Sequence, residues 1–130
     1  MASIFTKIIN REIPCHLVAE DENYIAFLDI SPLAEGHTLV ATKREIDYIF
    51  DQDNQTLEGL MLFCKKVSLQ LGRAIPCLRV GMMVIGLEVP HTHVHLIPMN
   101  RMEDVNFAKP KLKFSQDQLA EIAAKIREKA

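Results

Sequence analysis

A long amphipathic segment limits the folds that this chain can adopt. Apolar residues recur at intervals of three and four through residues 54–73, the period of a helix with one buried face. Asp53 is a suitable N-cap for this helix, and Pro76 prevents its continuation. The predicted buried stripe comprises Leu57, Leu60, Met61, Cys64, Val67, Ser68 and Leu71. A helix of this kind must pack its apolar face on a second layer.

Short candidate strands supply that second layer. Residues 16–30 predict two strands around a turn at 21–23, and residues 37–43 predict a third. Residues 77–86, rich in β-branched and long apolar side chains, predict a buried strand, and residues 91–98 predict the next one. Because the connections between successive strands are short, we expect an antiparallel sheet of about five strands.

Two shorter helices complete the predicted fold. Residues 3–14 carry apolar side chains at helical spacing, and Pro14 is expected to end that helix. Ser115 and Gln118 form a capping box before a second apolar stripe. That stripe comprises Leu119, Ile122, Ala123 and Ile126. The predicted fold is α+β, a single domain over residues 1–130 in which one long helix covers one face of the sheet.

Composition argues against several classes of function. The net charge is −2, with 15 basic and 17 acidic residues, so no basic surplus favours nucleic-acid binding. Cys15, Cys64 and Cys77 form no C-x-x-C pair, and their odd number fits a reducing compartment. No run reaches the roughly 18 apolar residues of a membrane span, and the first residues are too charged for a secretory signal. We therefore expect a cytoplasmic protein without a membrane partner.

Three of the five histidines lie in the run VPHTHVHLIP, at His91, His93 and His95. In a strand these residues point to one face, about 7 Å apart. A core tolerates such a row poorly, because each ring has a donor and an acceptor that must be satisfied.

Three interpretations of this row are open. A half-exposed strand could use histidine on its polar face. The imidazoles could instead bind a metal such as zinc, with Glu88, Asp29 or His37 as further ligands. In the third interpretation, one neutral imidazole attacks phosphorus while its neighbours donate to phosphate oxygens or to the leaving group.

The histidine run resembles the pattern His-φ-His-φ-His-φ-φ, with φ apolar, of the histidine-triad (HIT) family of nucleotide hydrolases and nucleotidyl transferases. The segments IFTKIINREIP, AFLDISPLAEGHTLVATK and GLEVPHTHVHLIP resemble three landmarks of that family in the family's order, and they cover most of residues 4–98. The similarity is strongest to the Hint-like branch of small nucleoside phosphoramidate hydrolases. It implies a HIT-like fold, a purine nucleotide or nucleoside phosphoramidate as substrate, and no metal or other cofactor.

The resemblance also implies roles for individual residues. His93 would be the nucleophile that attacks the α-phosphorus, His95 the partner that contacts phosphate and leaving group, and His91 a supporting ring. His37 matches an additional family histidine near the nucleotide, and Asp29 matches the carboxylate that binds the ribose hydroxyls. The remaining nucleotide-binding residues would form an apolar wall of Ile13, Phe27, Leu28, Ile30 and Val89.

The long helix also predicts a homodimer. Leu62, Phe63 and Leu69 lie outside its main stripe, and one sheet face cannot easily bury them all. Hint-like proteins pair through the equivalent helix and a neighbouring strand, so the resemblance implies the same state.

Departures from the family pattern motivate an alternative function. Glu88 stands where many Hint-like proteins have serine or threonine, Leu87 replaces a common glutamine, and RVGMMVIG lacks the family's asparagine. An ionised glutamate cannot donate to phosphate and would repel it. These departures motivate the alternative of a nucleotide-binding or sensing protein with little turnover. A metal-binding regulatory protein is a separate alternative, which follows from the metal interpretation of the histidine row.

Overall fold

A five-stranded antiparallel sheet lies at the centre of the computed structural model, which describes residues 2–130. The strands are β1 (Leu17–Glu20), β2 (Tyr24–Leu28), β3 (Thr38–Thr42), β4 (Arg79–Met83) and β5 (His93–Met99). Their order across the sheet is β1-β2-β3-β5-β4, so the strand that carries the histidines is inserted between β3 and β4. The predicted α+β class and the antiparallel sheet are confirmed.

Three helices accompany the sheet in the described part of the chain: α1 (Ile4–Ile9), α2 (Asn54–Ala74) and α3 (Gln116–Arg127). Both predicted helix starts are confirmed, because Asp53 accepts a hydrogen bond from the Thr56 N–H and Ser115 forms a capping box with Gln118. Short 3₁₀ turns occupy Ile49–Asp51 and Met102–Val105. No helix within residues 2–130 combines the length and apolar character needed to cross a bilayer.

The larger core lies between one face of the sheet and two helices. The predicted long helix, α2, covers this face, and the stripe of α3 is buried beside it against β1 and β2. The predicted stripe of α2 was partly wrong. Phe63 is buried beside the Tyr24 ring, with centroids 5.5 Å apart, whereas Met61 is 56% exposed. Contact with α3 as well as the sheet turns the buried face of α2 towards Phe63, which the apolar period alone did not specify.

A smaller core lies on the other face of the sheet, beneath α1. It comprises Phe5, Ile8, Ile25, Phe27, Leu39 and Ala41. Because side chains alternate along a strand, β2 contributes to both cores and is buried throughout. Helix α1 covers only part of this face, so the rest remains available for a binding site.

Two predicted boundaries differ from the structure. Helix α1 ends at Ile9 rather than at Pro14, because Asn10 caps it and Arg11 adopts a left-handed φ of 64°. The strand predicted to be buried is β4, which lies at a sheet edge with Met82 50% exposed. A continuous apolar run does not distinguish a central strand from an edge strand whose outer surface is apolar.

Candidate active site

A cavity of about 390 Å³ opens on the α1 side of the sheet. Its walls come from α1, the end of β2, the segment before β5, and a loop after β5. Most of the lining is apolar, and polar side chains are contributed by Asp29, Glu88, His93 and His95. An apolar cavity with a few convergent polar groups is the usual form of a small-molecule site.

His93 presents one free ring nitrogen to this cavity. Its Nδ1 lies 2.7 Å from the backbone oxygen of His91, and a carbonyl oxygen can only accept, so Nδ1 carries the proton. In the neutral ring, Nε2 therefore keeps a lone pair. The Phe5 ring packs edge-to-face on His93 with centroids 4.9 Å apart, which fixes the plane of the imidazole. The nitrogen that a nucleophile needs is thus unprotonated and held in place.

His95 differs from His93 because its free ring nitrogen carries a proton and is therefore a hydrogen-bond donor. The Leu33 N–H donates to His37 Nδ1 at 3.0 Å, so a neutral His37 carries its proton on Nε2. That Nε2 lies 3.0 Å from His95 Nδ1 and donates to it, which leaves the proton of His95 on its own Nε2. Burial, assisted by neighbouring histidines, lowers the pKa of His37 to about 3 and that of His95 to about 4. Both rings are therefore neutral at physiological pH.

His91 and His37 lie behind the cavity instead of lining it. His91 is fully buried, and its Nε2–H donates to the Thr42 carbonyl at 2.6 Å. It precedes β5, so the predicted strand alternation describes only His93 and His95. His37 is also buried, and it contacts His95 instead of the cavity. All three histidines of the run are buried, so the interpretation as a half-exposed polar strand face was wrong.

Asp29 borders the cavity immediately after the end of β2. One carboxylate oxygen accepts from the Ser31 N–H at 2.8 Å, and the other lies 3.6 Å from His37 Nε2. Burial raises the pKa of Asp29, and the hydrogen bond from Ser31 opposes that rise. The partly exposed carboxylate retains lone pairs for hydroxyl donors in the cavity.

The residues predicted to form an apolar wall all border this cavity. They are Ile13, Phe27, Leu28, Ile30 and Val89. Leu28 also packs in the core beneath α2, on the opposite face of the sheet from Phe27. Ile30 is 67% exposed, so it lies at the rim. Glu88 is exposed and borders the cavity as well, close enough to raise the pKa of Asp29 further.

The three side chains best placed to bind a metal do not form a suitable donor set. Ligand atoms of Asp29, His37 and His95 lie within 4.8 Å of one another. The Leu33 N–H occupies the lone pair of His37 Nδ1, so the neutral ring must keep a proton on Nε2 and cannot bind a metal there. A metal would have to break this hydrogen bond and the one between the two histidines. The local chemistry therefore disfavours the metal-binding interpretation of these residues.

Phe107 is a site residue that the sequence did not predict. Its ring packs edge-to-face on His95, with ring centroids 4.9 Å apart. The centroid of the Phe107 ring lies 6.2 Å from that of the His37 ring. The loop that carries it is attached to the body of the protein by a hydrogen bond from the Leu112 N–H to the Pro32 carbonyl, 2.8 Å long. Phe107 has no periodic apolar neighbours, so the sequence contained no signal for this contact.

The chain between residues 101 and 113 also carries four basic residues. They are Arg101, Lys109, Lys111 and Lys113. Lys111 is exposed, and its ammonium donates to the Phe107 carbonyl at 2.6 Å and lies 5.7 Å from the centre of the Phe107 ring. This lysine therefore supports the wall of the cavity from outside.

The sheet thus presents one imidazole with a free lone pair, His93, and one with a free N–H, His95, to the same cavity. A protein-family model described as the HIT domain matches residues 10–102. The chain therefore belongs to the HIT family, as the sequence resemblance implied.

Individual relatives extend this similarity over nearly the whole chain. An uncharacterized HIT-like protein of Borreliella burgdorferi is 36% identical over 131 residues, which cover 95% of this chain and 94% of the relative. The adenosine 5′-monophosphoramidase of Schizosaccharomyces pombe is 28% identical, with 99% of this chain and 98% of the relative covered. The crystal structure of a Hit-like protein from Bartonella henselae superposes with a TM-score of 0.86 at 32% identity, covering 98% of this chain and 96% of that one.

Proposed function

We propose that the protein is a nucleotide hydrolase or nucleotidyl transferase that cleaves a nucleoside phosphoramidate or phosphoanhydride at the α-phosphorus. Family membership and the similarity to an adenosine monophosphoramidase support a nucleotide substrate. The observation that carries the proposal is the pair of ring tautomers in the cavity. His93 offers a lone pair and His95 offers an N–H, with ring centroids 5.2 Å apart.

These tautomers suit a two-step displacement. His93 Nε2 attacks phosphorus, the bond to the leaving nitrogen or oxygen breaks, and a nucleotidyl-His93 forms. The attacking ring becomes cationic, and the His91 carbonyl that accepts from Nδ1–H stabilises this charge. Water then attacks phosphorus, the bond to Nε2 breaks, and neutral His93 is regenerated with a nucleoside monophosphate as product.

His95 serves in this scheme as a hydrogen-bond donor to the phosphate or the leaving atom. A neutral His95 whose Nδ1 accepts from His37 has a single ring proton, and losing it would create an imidazolate. We therefore assign His95 to charge stabilisation. A leaving amine takes one proton from solvent, and the water that later attacks the nucleotidyl-His93 returns one proton to solvent, so the two steps balance.

We propose that Asp29 binds the ribose hydroxyls and that the apolar wall contacts the base. In Asp29→Asn, ribonucleotide binding should weaken by about 1.5–3 kcal/mol, the usual contribution of a charged acceptor. Binding of a 2′,3′-dideoxy analogue should change much less, because it lacks the hydroxyls. Calorimetry with both ligands measures the difference, and Glu88→Gln, which removes another carboxylate bordering the cavity, is the matched control. Equal losses for both ligands in Asp29→Asn would show a structural role.

We propose a homodimer formed through α2 and β4. Phe63 is buried and no longer supports this interface, but Leu62 is 67% and Leu69 50% exposed on α2, and Met82 is 50% exposed on β4. Leu62→Glu should convert a dimer of 14.8 kDa chains to monomers, because it places a charge in an apolar contact. Analytical ultracentrifugation measures the mass, with Phe50→Glu as the control at an exposed aromatic residue. A wild-type monomer at micromolar concentration would contradict the dimer.

Three expectations from the sequence stay predictions. They are the cytoplasmic location, the absence of nucleic-acid and membrane partners, and the single domain without a cofactor. The proposed displacement uses only imidazole and backbone groups of the chain, so it requires no metal or cofactor.

A further inference from the structure

The beginning of α1 contacts the histidine behind the proposed nucleophile. Ser3 is the N-cap of this helix, and its hydroxyl oxygen lies 2.7 Å from His91 Nδ1. We propose that Ser3 is a positioning residue for His93 and that it acts through His91. This inference rests on the proposed function, in which His93 is the nucleophile.

The hydrogen bonds of His91 define the direction of the Ser3 contact. Its Nε2 lies 2.6 Å from the Thr42 carbonyl oxygen, which only accepts, so Nε2 carries the ring proton. Burial lowers the pKa of His91 and keeps the ring neutral. Its Nδ1 therefore has a lone pair that needs a donor, and the Ser3 hydroxyl is that donor.

The Ser3 hydroxyl has a second possible acceptor in Thr6 Oγ1, at 3.4 Å, but His91 Nδ1 is much nearer, at 2.7 Å, and is the preferred partner of the hydroxyl proton. The Ser3 N–H donates to Glu45 Oε1 at 2.7 Å, and the Thr6 hydroxyl donates to the same oxygen at 2.6 Å. The Thr6 N–H donates to the Ser3 hydroxyl oxygen at 3.0 Å, as expected for an N-cap. Thr6 Oγ1 also lies 3.4 Å from His91 Nδ1, but its proton is already directed to Glu45. These bonds lower the pKa of Glu45 to about 2, so the carboxylate stays charged at physiological pH.

The position of the His91 backbone directly determines the orientation of the His93 ring. The carbonyl of His91 accepts from His93 Nδ1–H, and the His91 N–H donates to the Val89 carbonyl at 2.8 Å. Hydrogen bonds therefore hold both the ring and the backbone of His91 in place. Phe5, two residues after Ser3, packs edge-to-face on His91 and His93, with centroids 5.8 Å and 4.9 Å away. Helix α1 therefore contacts the rings of both His91 and His93, the proposed nucleophile.

Glycine at position 3 separates this role from helix capping. Glycine is a good N-cap, so Ser3→Gly removes the hydroxyl with little loss of helix stability. Ser3→Thr restores a hydroxyl that still caps the helix. Ser115→Gly makes the same change at the N-cap of α3, where the serine hydroxyl contacts the Gln118 N–H and no histidine.

The kinetic test is the rate of nucleotidyl-protein formation in a single turnover with adenosine 5′-phosphoramidate. Ser3→Gly should slow this step by up to about 100-fold, the scale of a small misplacement of a reacting group, with little change in KM. Ser3→Thr should recover most of the rate, and Ser115→Gly should match the wild type. A wild-type rate in Ser3→Gly would overturn the inference and leave the proposed function intact.

A second measurement does not depend on turnover. In NMR spectra of ¹⁵N-histidine-labelled protein, the Nε2–H of His91 and the Nδ1–H of His93 should exchange slowly in the wild type and in Ser3→Thr. In Ser3→Gly the His91 proton should exchange faster and the His93 signal should shift. Unchanged signals would overturn the positioning role even where activity falls. Absence of a nucleotidyl adduct in the wild type would refute the proposed function, while these spectra would still decide whether Ser3 orients the two rings.

Discussion

His93→Ala should lower the rate of hydrolysis of a nucleoside phosphoramidate by at least about 10⁴-fold, the scale observed when a catalytic nucleophile is removed. The physical reason is that Nε2 of His93 is the unprotonated ring nitrogen facing the cavity, whereas the free nitrogen of His95 carries a proton. Nucleotide binding should survive in large part, since the apolar wall and Asp29 are unchanged. The decisive measurement is mass spectrometry of acid-quenched enzyme, which should show a nucleotidyl adduct on His93 in the wild type and none in the variant.

His16→Ala is the matched control for this substitution. His16 lies outside the cavity and its Nε2 contacts Gln116 at 2.8 Å, so the variant should keep the adduct and full turnover. An adduct on another residue, or near-normal hydrolysis by His93→Ala, would contradict the mechanism. Tight nucleotide binding by a wild type that forms no adduct would instead support the alternative of a sensing protein. Activity that disappears with a chelator and returns with zinc would restore the metal interpretation.

Features that depend on neighbouring residues were predictable from the sequence. The cap at Asp53, the capping box at Ser115 and the turn at 21–23 are formed within a few residues, so a short window contains their whole cause. The side-chain period of two placed His93 and His95 on one face of β5 for the same reason. The resemblance to the family then identified Asp29 and the residues of the apolar wall, which border the cavity.

Features that depend on distant contacts were not predictable. The bond between Ser3 and His91 joins residues 88 positions apart, and nothing in either local pattern indicates it. The exposure of β4 depends on which strand lies beside it, since an edge position and a central position suit the same apolar run. Phe107 reaches His95 because a loop without regular structure is attached at Leu112. In each case the three-dimensional neighbour decides the role of the residue.

The position of His37 within the site was likewise not predictable from the sequence. The resemblance placed it near the nucleotide, and the spacing of residues does not distinguish a ring in the cavity from one behind it. The structure places it one layer back, where its Nε2–H fixes the tautomer of His95. Its proposed effect on catalysis is therefore indirect and can be separated experimentally from that of His95.

His95→Ala should slow nucleotidyl transfer by about 10²–10³-fold, the usual loss when one donor to a developing charge is removed, while the adduct on His93 still forms. His37→Leu should produce a smaller loss, because His95 remains but no longer has its proton directed to Nε2. The Leu33 N–H also loses its acceptor in this variant, so a lower melting temperature is expected. Single-turnover kinetics with a nucleoside phosphoramidate measures the first effect and calorimetry the second.

His37→Gln is the control that isolates the tautomer. A glutamine amide accepts through its oxygen and donates through its nitrogen, so it is able to take the Leu33 N–H and still donate to His95 Nδ1. The rate of His37→Gln should therefore lie well above that of His37→Leu. Equal rates in the two variants would show that His37 contributes only to packing. A complete loss of the His93 adduct in His95→Ala would show that His95 is essential to the covalent step, because stabilisation of charge by a single hydrogen bond slows a reaction without abolishing it.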